Sequence, residues 1–370
     1  MITADAAGTW TLGDHSVNRM GFGSMRLTPN PDRTVAVRVL RRAVELGVNH
    51  IDTAAFYVSP GGILDRGAGP ARYATELIRE ALSPYAPGLF IATKVGPGIL
   101  PSGEFETADT PARLRAQVEE NLRRLGVDRL DLVNLRLTRR EGSVAVRFAA
   151  LAAMREEGLI RHLGISNATL EQVDEAATIA PVACVQNSFA LDLRRDADMP
   201  AALASRGIAF VPFFAIAGPN REDGAGSAVD GVVARVAATH GVTPHQVRLA
   251  WTLHQGDNVL AIPGTGDERH LEQNIAAGAI RLSDQEVKEL AQPARAPRSS
   301  APHRDAEPGR SGAEQGGDLS GQFGAGLDLG LADGDAFDVE AERHAQAGAE
   351  RPQVAGDGQA LAAGRLEWVG

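Results

Sequence analysis

Apolar residues along the first 292 positions keep two alternating rhythms. Short apolar runs of strand length recur about every 30–40 residues, and stretches with a helical period lie between them. TWTL and SVNRM, separated by a Gly13-Asp14 turn, predict an opening hairpin. GFGSM then reads as the first strand of the main series. From Pro31 to Leu46 the residues Val35, Val39, Leu40, Ala43 and Leu46 share one helix face. VNHID, LFIATKV, DLVNLRL, IRHLGISN, VACVQNS, IAFVPFF and NVLAIPG read as seven further strands. RYATELIREAL, PARLRAQVEENLRRLG, VAVRFAALAAMREEG and TLEQVDEAATIA read as helices between them, and another helix ends at Arg206. Pro111 at a helix start and Gly126 just past its end follow the usual asymmetry of caps. THGVTPHQVRLAWTLHQ reads as one helical stretch, and Asp267–Ala277 and Ser283–Ala291 as closing helices.

Eight strands, each followed by helix, predict an α/β protein built from right-handed crossovers. Repeated eight times, such units close into a (β/α)8 TIM barrel, here with an N-terminal β-hairpin. A doubly wound open sheet would want a glycine-rich turn after its first strand, and Gly21-Phe22-Gly23 lacks the third glycine. The rhythm stops near residue 292. From 293 to 370 glycine and alanine make up roughly 40% of the chain and large aliphatic residues are sparse. The expected organisation is a barrel over 1–292 and a low-complexity, disordered tail over 293–370.

Composition narrows the function classes. Hydrophobic residues are 44% and charged residues 23%, ordinary values for a globular enzyme. The net charge of -10 argues against a nucleic-acid partner, which calls for a basic face. No apolar run has the length of a membrane span, and the N-terminus has no secretory leader pattern, so the cytoplasm is the expected address. The one cysteine, Cys184, excludes an internal disulfide framework and a cysteine-based zinc site.

In such a barrel, chemistry is built at the C-terminal ends of the strands. The polar residues placed there include Asp52, Lys94, Asn134, Arg136, Ser166, Asn167, Gln186 and Asn187, with Tyr57 on the loop after Asp52. Lys94 within an apolar strand needs a carboxylate, because an unpaired buried ammonium is costly, and Asp52 is the available one. A cation beside Tyr57 favours phenolate and lowers its pKa toward the working pH. A phenol tuned this way can protonate an oxygen that gains negative charge, such as a carbonyl receiving hydride. The same three residues fit equally a barrel-mouth ion pair beside a tyrosine that only packs. Gly264-Thr265-Gly266, with Arg269 and His270 close behind, fits a phosphate cradle at a helix start, and equally a plain strand-to-helix turn. Phe213 suits stacking on a flat ring, and core packing as well. His50, His162, His240, His245 and His254 show no metal-ligand spacing, so no metal is expected.

Taken in order, GFGSM, HIDTAAFY, IATKVG, DLVNLRL, HLGISN, VQN, AIPGT and HLEQN resemble the aldo-keto reductase family from Thr11 to Ala291. SVNRMGFGSMRL, DLVNLRL and FVPFF look most like a bacterial branch that includes pyridoxal reductases. The resemblance implies NADPH lying extended across the barrel mouth. It implies Tyr57 as general acid, tuned by Lys94 and Asp52. Ser166, Asn167 and Gln186 would hold the nicotinamide carboxamide, and Phe213 would stack on its ring. Gly264, Thr265, His270 and Asn274 would face the 2′-phosphate and adenine. The implied reaction is reduction of pyridoxal or another small aromatic aldehyde, by a monomer with no membrane or nucleic-acid partner. A nicotinamide-binding regulatory or scaffold subunit with little turnover is the alternative.

Four features depart from the family pattern. Arg136 stands where a histidine is usual; as a permanent cation it polarises a carbonyl, binds an anionic group, or pairs with a nearby acid. His270 stands where many relatives carry arginine. FFAIAGPNREDGAGS lacks the usual proline-leucine-glycine after the aromatic pair. The loop from Val58 to Pro70 is longer than usual, and it directly follows Tyr57.

Overall fold

The computed structural model describes residues 1–62, 67–99, 105–216 and 231–292. The tail expected over 293–370 lies outside the described residues, as does most of the loop after Phe214. The chain opens with the expected hairpin, β1 (Thr9–Leu12) and β2 (His15–Asn18), paired antiparallel with Leu12 opposite His15. Gly13 turns it at φ +66°, and a Cβ there would stand 2.6 Å from the His162 ring. Backbone conformation and close approach both require glycine.

The repeating units follow. They run β3 (Phe22–Gly23), α1 (Arg33–Glu45) and β4 (His50–Asp52), then a small hairpin of β5 (Val58–Ser59) and β6 (Arg72–Tyr73). Next come α2 (Ala74–Leu82), β7 (Phe90–Val95), a second hairpin of β8 (Pro97–Ile99) and β9 (Phe105–Thr107), and α3 (Pro111–Leu125). Then β10 (Leu130–Arg136), α4 (Ala145–Glu156), β11 (Ile160–Ser166), α5 (Leu170–Ile179), β12 (Val182–Gln186), α6 (Met199–Ala204) and β13 (Ala209–Phe210). The last described helices are α7 (Gly231–His240), α8 (Pro244–Leu253), α9 (Glu268–Ala276) and α10 (Asp284–Leu290).

Seven strands form one parallel sheet in the order β13-β12-β11-β10-β7-β4-β3. The eighth, expected at NVLAIPG, is not a continuous strand; it joins its neighbours by isolated bridges, Val259 to Phe210 and Ala261 to Met20. Backbone hydrogen bonds nevertheless close the cylinder on both sides. Phe210 N donates to Asn258 O (2.9 Å) and Leu260 N to Phe210 O (2.9 Å), while Ala261 N donates to Arg19 O (2.9 Å) and Gly21 N to Ala261 O (2.8 Å). Pro212 and Pro263, which lack an N–H, shorten the pairing there.

Three helix boundaries differ from the sequence expectation. THGVTPHQVRLAWTLHQ is interrupted: α7 ends at His240, Gly241 adopts φ +65°, and Thr243 with Gln246 forms a capping box that starts α8. The helix ending at Arg206 shrinks to α6, and irregular backbone precedes it. The first helix begins only at Arg33, because the Asp32 side chain caps it by accepting from Thr34 N (2.9 Å).

Inside the cylinder Phe90, Ala92, Leu132, Cys184, Ala209, Val211 and Leu260 pack together. Leu12 and Val17 of the hairpin join them, so the hairpin packs onto the barrel interior. Asp14 holds it there through Arg161 (2.6 Å) and His162 (2.7 Å). The outer faces of the strands and the inner faces of the helices form a second, larger core. Among the described residues no helix is long and apolar enough to cross a membrane. Leu132 is fully buried in the inner layer. Leu132→Ala should lower the unfolding free energy by about 3 kcal/mol, read as an earlier urea midpoint with an unchanged slope.

Candidate active site

The C-terminal end of the barrel gathers the charged residues that the strands carry. Asp52 ends β4 and Lys94 lies one residue before the end of β7, each about 95% buried. Lys94 Nζ donates to Asp52 Oδ1 (2.6 Å), Asp52 Oδ2 (2.7 Å) and Thr53 O (3.1 Å). Gln186 Nε2, at the end of β12, donates to Asp52 Oδ2 (2.9 Å). The ammonium that had to find a carboxylate therefore has one, with all three donors engaged.

Tyr57 lies against this pair. Lys94 Nζ stands 4.7 Å from its ring centroid. The net direction of the Tyr57 pKa is nevertheless upward, a correction to the sequence expectation. Burial raises it, and this outweighs the lowering by Lys94 and Arg136, with Asp52 adding to the rise. For Lys94, burial pushes down but Asp52 and Tyr57 together more than compensate, so the ammonium is held above its ordinary value. The arrangement keeps a neutral phenol beside a firm cation. That suits proton donation: the phenol holds its proton until an acceptor appears, and the cation stabilises the phenolate left behind.

Arg136 ends β10 and is buried, with Nη1 donating to Ser166 Oγ (3.4 Å) at the end of β11. Its Cζ stands 4.8 Å from the Phe213 ring centroid, a cation–π contact. Phe213 meets Phe214 edge to face at 5.1 Å. Asn167 adopts φ +57°, sparsely populated by residues with a side chain, and donates through Nδ2 to Leu137 O (3.1 Å). Tyr57, Lys94, Asp52, Arg136, Ser166, Asn167, Gln186 and Phe213 thus meet at one end of the barrel.

The other predicted residues lie just before α9 and along it. Gly264 is required by packing, since a Cβ there would lie 2.5 Å from Gly23 O. Thr265 is buried, and its Oγ1 accepts from Asp267 N (3.1 Å). Asp267 caps α9 by accepting from His270 N (2.8 Å), which holds its carboxyl below the usual range. The Asp267 and His270 amides at the helix start are therefore already engaged. The His270 side chain is exposed and Asn274 is buried on the inner face of the helix. Residues 217–230, most of the loop after the aromatic pair, lie outside the described residues.

Sequence reasoning missed Arg72. It is buried and donates to Thr28 O (2.8 Å), Ala68 O (3.0 Å), Pro70 O (3.0 Å) and Pro29 O (3.2 Å). Through the β5–β6 hairpin and the Ala74 N to Tyr57 O bond (2.9 Å) it fastens the loop that carries Tyr57. An arginine among glycines and prolines gives no sign of this in sequence; the acceptors become its partners only when the loops meet.

The family model for the aldo/keto reductase family matches residues 19–294. The chain belongs to the aldo/keto reductase family. It is 42% identical over 297 residues to pyridoxine 4-dehydrogenase of Escherichia coli (strain K12), covering 77% of this chain and 98% of that protein. It is 36% identical over 295 residues to an uncharacterized oxidoreductase of Schizosaccharomyces pombe, covering 78% and 90%. Among solved structures, a thermostable aldo-keto reductase in complex with the inhibitor epalrestat superposes with TM-score 0.62 at 29% identity, over 76% of this chain and 98% of that one. An aldo/keto reductase from Klebsiella pneumoniae, solved with NADP and acetate, shares the fold with TM-score 0.62 at 24% identity, over 78% and 96%.

As an aldo/keto reductase the chain is an oxidoreductase, and its barrel mouth can be tested against a nicotinamide. Asn167 Oδ1 and Gln186 Oε1 are buried acceptors with no hydrogen-bond partner among the described residues. An orphaned buried acceptor is costly, and a primary carboxamide supplies the N–H donors that would satisfy both. The residues present fit that end of the cofactor. Removing the cation tests the charged centre itself. Lys94→Met leaves the Asp52 carboxylate buried without its partner and should cost about 3–5 kcal/mol in denaturant unfolding. The double variant Asp52→Asn/Lys94→Met should recover part of that loss. Arg72→Met should leave the protein folded and lower kcat, read as reduced turnover at saturating substrate.

Proposed function

We propose that the chain reduces small aromatic aldehydes to alcohols with NADPH, pyridoxal among them, and that Tyr57 gives the proton. The family supports carbonyl reduction coupled to NADP(H), and the pyridoxine 4-dehydrogenase of E. coli supports the substrate class. The observation that carries the reading is the buried Asp52–Lys94 pair set against a protonated Tyr57. When bound, the cofactor supplies hydride to the carbonyl carbon and leaves as the oxidised nicotinamide.

The chain's residues do the rest. As the carbonyl oxygen gains the bonding pair, Tyr57 Oη transfers its proton there. The phenolate that remains is stabilised by Lys94 Nζ, whose charge Asp52 keeps in place. Arg136 faces the same region and adds a second cation that favours a developing alkoxide without giving up a proton. Ser166, Asn167 and Gln186 orient the carboxamide, and Phe213 covers the ring. Gly264, Thr265, His270 and Asn274 face the adenosine end. The relatives named above carry enzyme names, so they lend no support to a regulatory or scaffold subunit. A cytoplasmic monomer is part of this proposal, and elution of the purified chain at the monomer volume would support it.

NADPH absorbance followed with pyridoxal and an aldehyde panel tests the reading. Tyr57→Phe should lose at least about a hundredfold in kcat while binding NADPH as before, the usual scale for a general acid. Unchanged turnover in Tyr57→Phe would refute the assignment. The pH dependence has a definite sign. The reacting form is the protonated phenol, and burial raises its pKa, so reduction should persist through neutral pH and fall only above the ordinary tyrosine value.

A further inference from the structure

Asn167 is held in its left-handed conformation from both sides. Its N–H donates to Gln186 O (3.0 Å) and its Nδ2 to Leu137 O (3.1 Å), which leaves Oδ1 buried and without a partner among the described residues. The next peptide is clamped more firmly still. Ala168 N donates to Asn187 Oδ1 (3.0 Å), and Ala168 O accepts from Arg140 Nη2 (2.8 Å) and Asn187 Nδ2 (2.8 Å). Behind both donors stands Asp196, which is 4% exposed. It takes a two-pronged contact from Arg140 (2.8 and 2.9 Å) and a third bond from Asn187 Nδ2 (3.0 Å). Asn187 O in turn accepts from Phe213 N (3.0 Å).

The hub therefore reaches two groups that meet at the barrel mouth: the orphaned Oδ1 of Asn167 and the ring of Phe213. It joins three connections, those after β10, β11 and β12. A buried ion pair of this kind adds little net stability over an apolar pair of similar volume, but its geometry is specific. We propose that the Arg140–Asp196 pair, working through Asn187 and the Ala168 peptide, is a positioning device that aims Asn167 Oδ1 at the nicotinamide carboxamide. Arg140 and Asp196 touch neither cofactor nor substrate; they preset the acceptor before the cofactor arrives, so binding does not have to order it. This rests on the assignment of Asn167 under the proposed function.

The test compares two ligands that differ only at the carboxamide. In the reduced 3-acetylpyridine analogue of NADPH a methyl group replaces the amide nitrogen, so it has no N–H to give Asn167. Fluorescence titration of the full chain measures the dissociation constants of both ligands. The wild type should prefer NADPH by about tenfold or more, the scale of a buried hydrogen bond. Arg140→Met and the near-isosteric Asp196→Asn should bind NADPH several-fold more weakly and the analogue almost unchanged, so that the preference collapses. Arg140→Lys, which keeps the charge but loses the fork, should fall between. A preference kept intact in both Arg140→Met and Asp196→Asn would overturn the proposal and leave the reductase reading standing. Equal weakening toward both ligands would also overturn it, since a general loosening of the fold acts on both. No preference in the wild type would overturn the assignment of Asn167, and this proposal with it. Melting without ligand identifies any variant that has lost its fold, and the other variant then decides.

Discussion

A lysine inside a barrel is tolerable only if its charge is answered. The contact between Lys94 and Asp52 meets that demand across neighbouring strands, and much of the mouth is arranged around it. Because β4 and β7 pair in parallel register, both side chains emerge at the same end of the cylinder. Gln186, two strands beyond β10, completes the carboxylate's hydrogen bonds. Tyr57 then lies beside a fixed positive charge whose own neutralising carboxylate is close enough to oppose it. The balance of burial and charge decides which form of the phenol the resting protein holds, and burial wins.

The fold separates rigidity from chemistry. Paired strands and an apolar inner layer fix where each side chain starts. The loops that carry Tyr57 and Asn167 have little regular hydrogen bonding of their own, and side chains reaching over from elsewhere supply it. Arg72 gathers four backbone carbonyls around the Tyr57 loop, whereas beneath Asn167 one carbonyl, that of Ala168, takes bonds from Arg140 and Asn187 while the Arg140 fork engages Asp196. In both places an arginine satisfies loop carbonyls that no strand pairs. Close backbone approach completes the mouth: a Cβ on Gly23 would stand 2.6 Å from Ile262 O, and one on Gly264 2.5 Å from Gly23 O.

Much of this was legible in the chain because the signals are local and periodic. Eight apolar runs separated by helical stretches imply eight crossovers, and their handedness leaves few ways to close. A lysine in an apolar run demands a carboxylate, and strand order limits the choice to Asp52. The capping pair Thr243 and Gln246, by contrast, lies inside a continuous helical pattern that hides the break before α8. The apolar run of the eighth strand gives its place but overstates its length, because prolines remove donors that an apolar run alone does not reveal.

By itself the sequence determined the barrel, the order of its strands and the residues at their ends, since periodicity, charge burial and motif spacing act over short distances along the chain. Only the tertiary structure decided the sign of the Tyr57 shift, the clamp made by Arg72, and the meeting of Arg140 with Asp196. Each of these depends on how deeply a group is buried and on partners dozens of residues away. Such partners come within hydrogen-bonding distance only once the strands have closed and the loops are folded onto them.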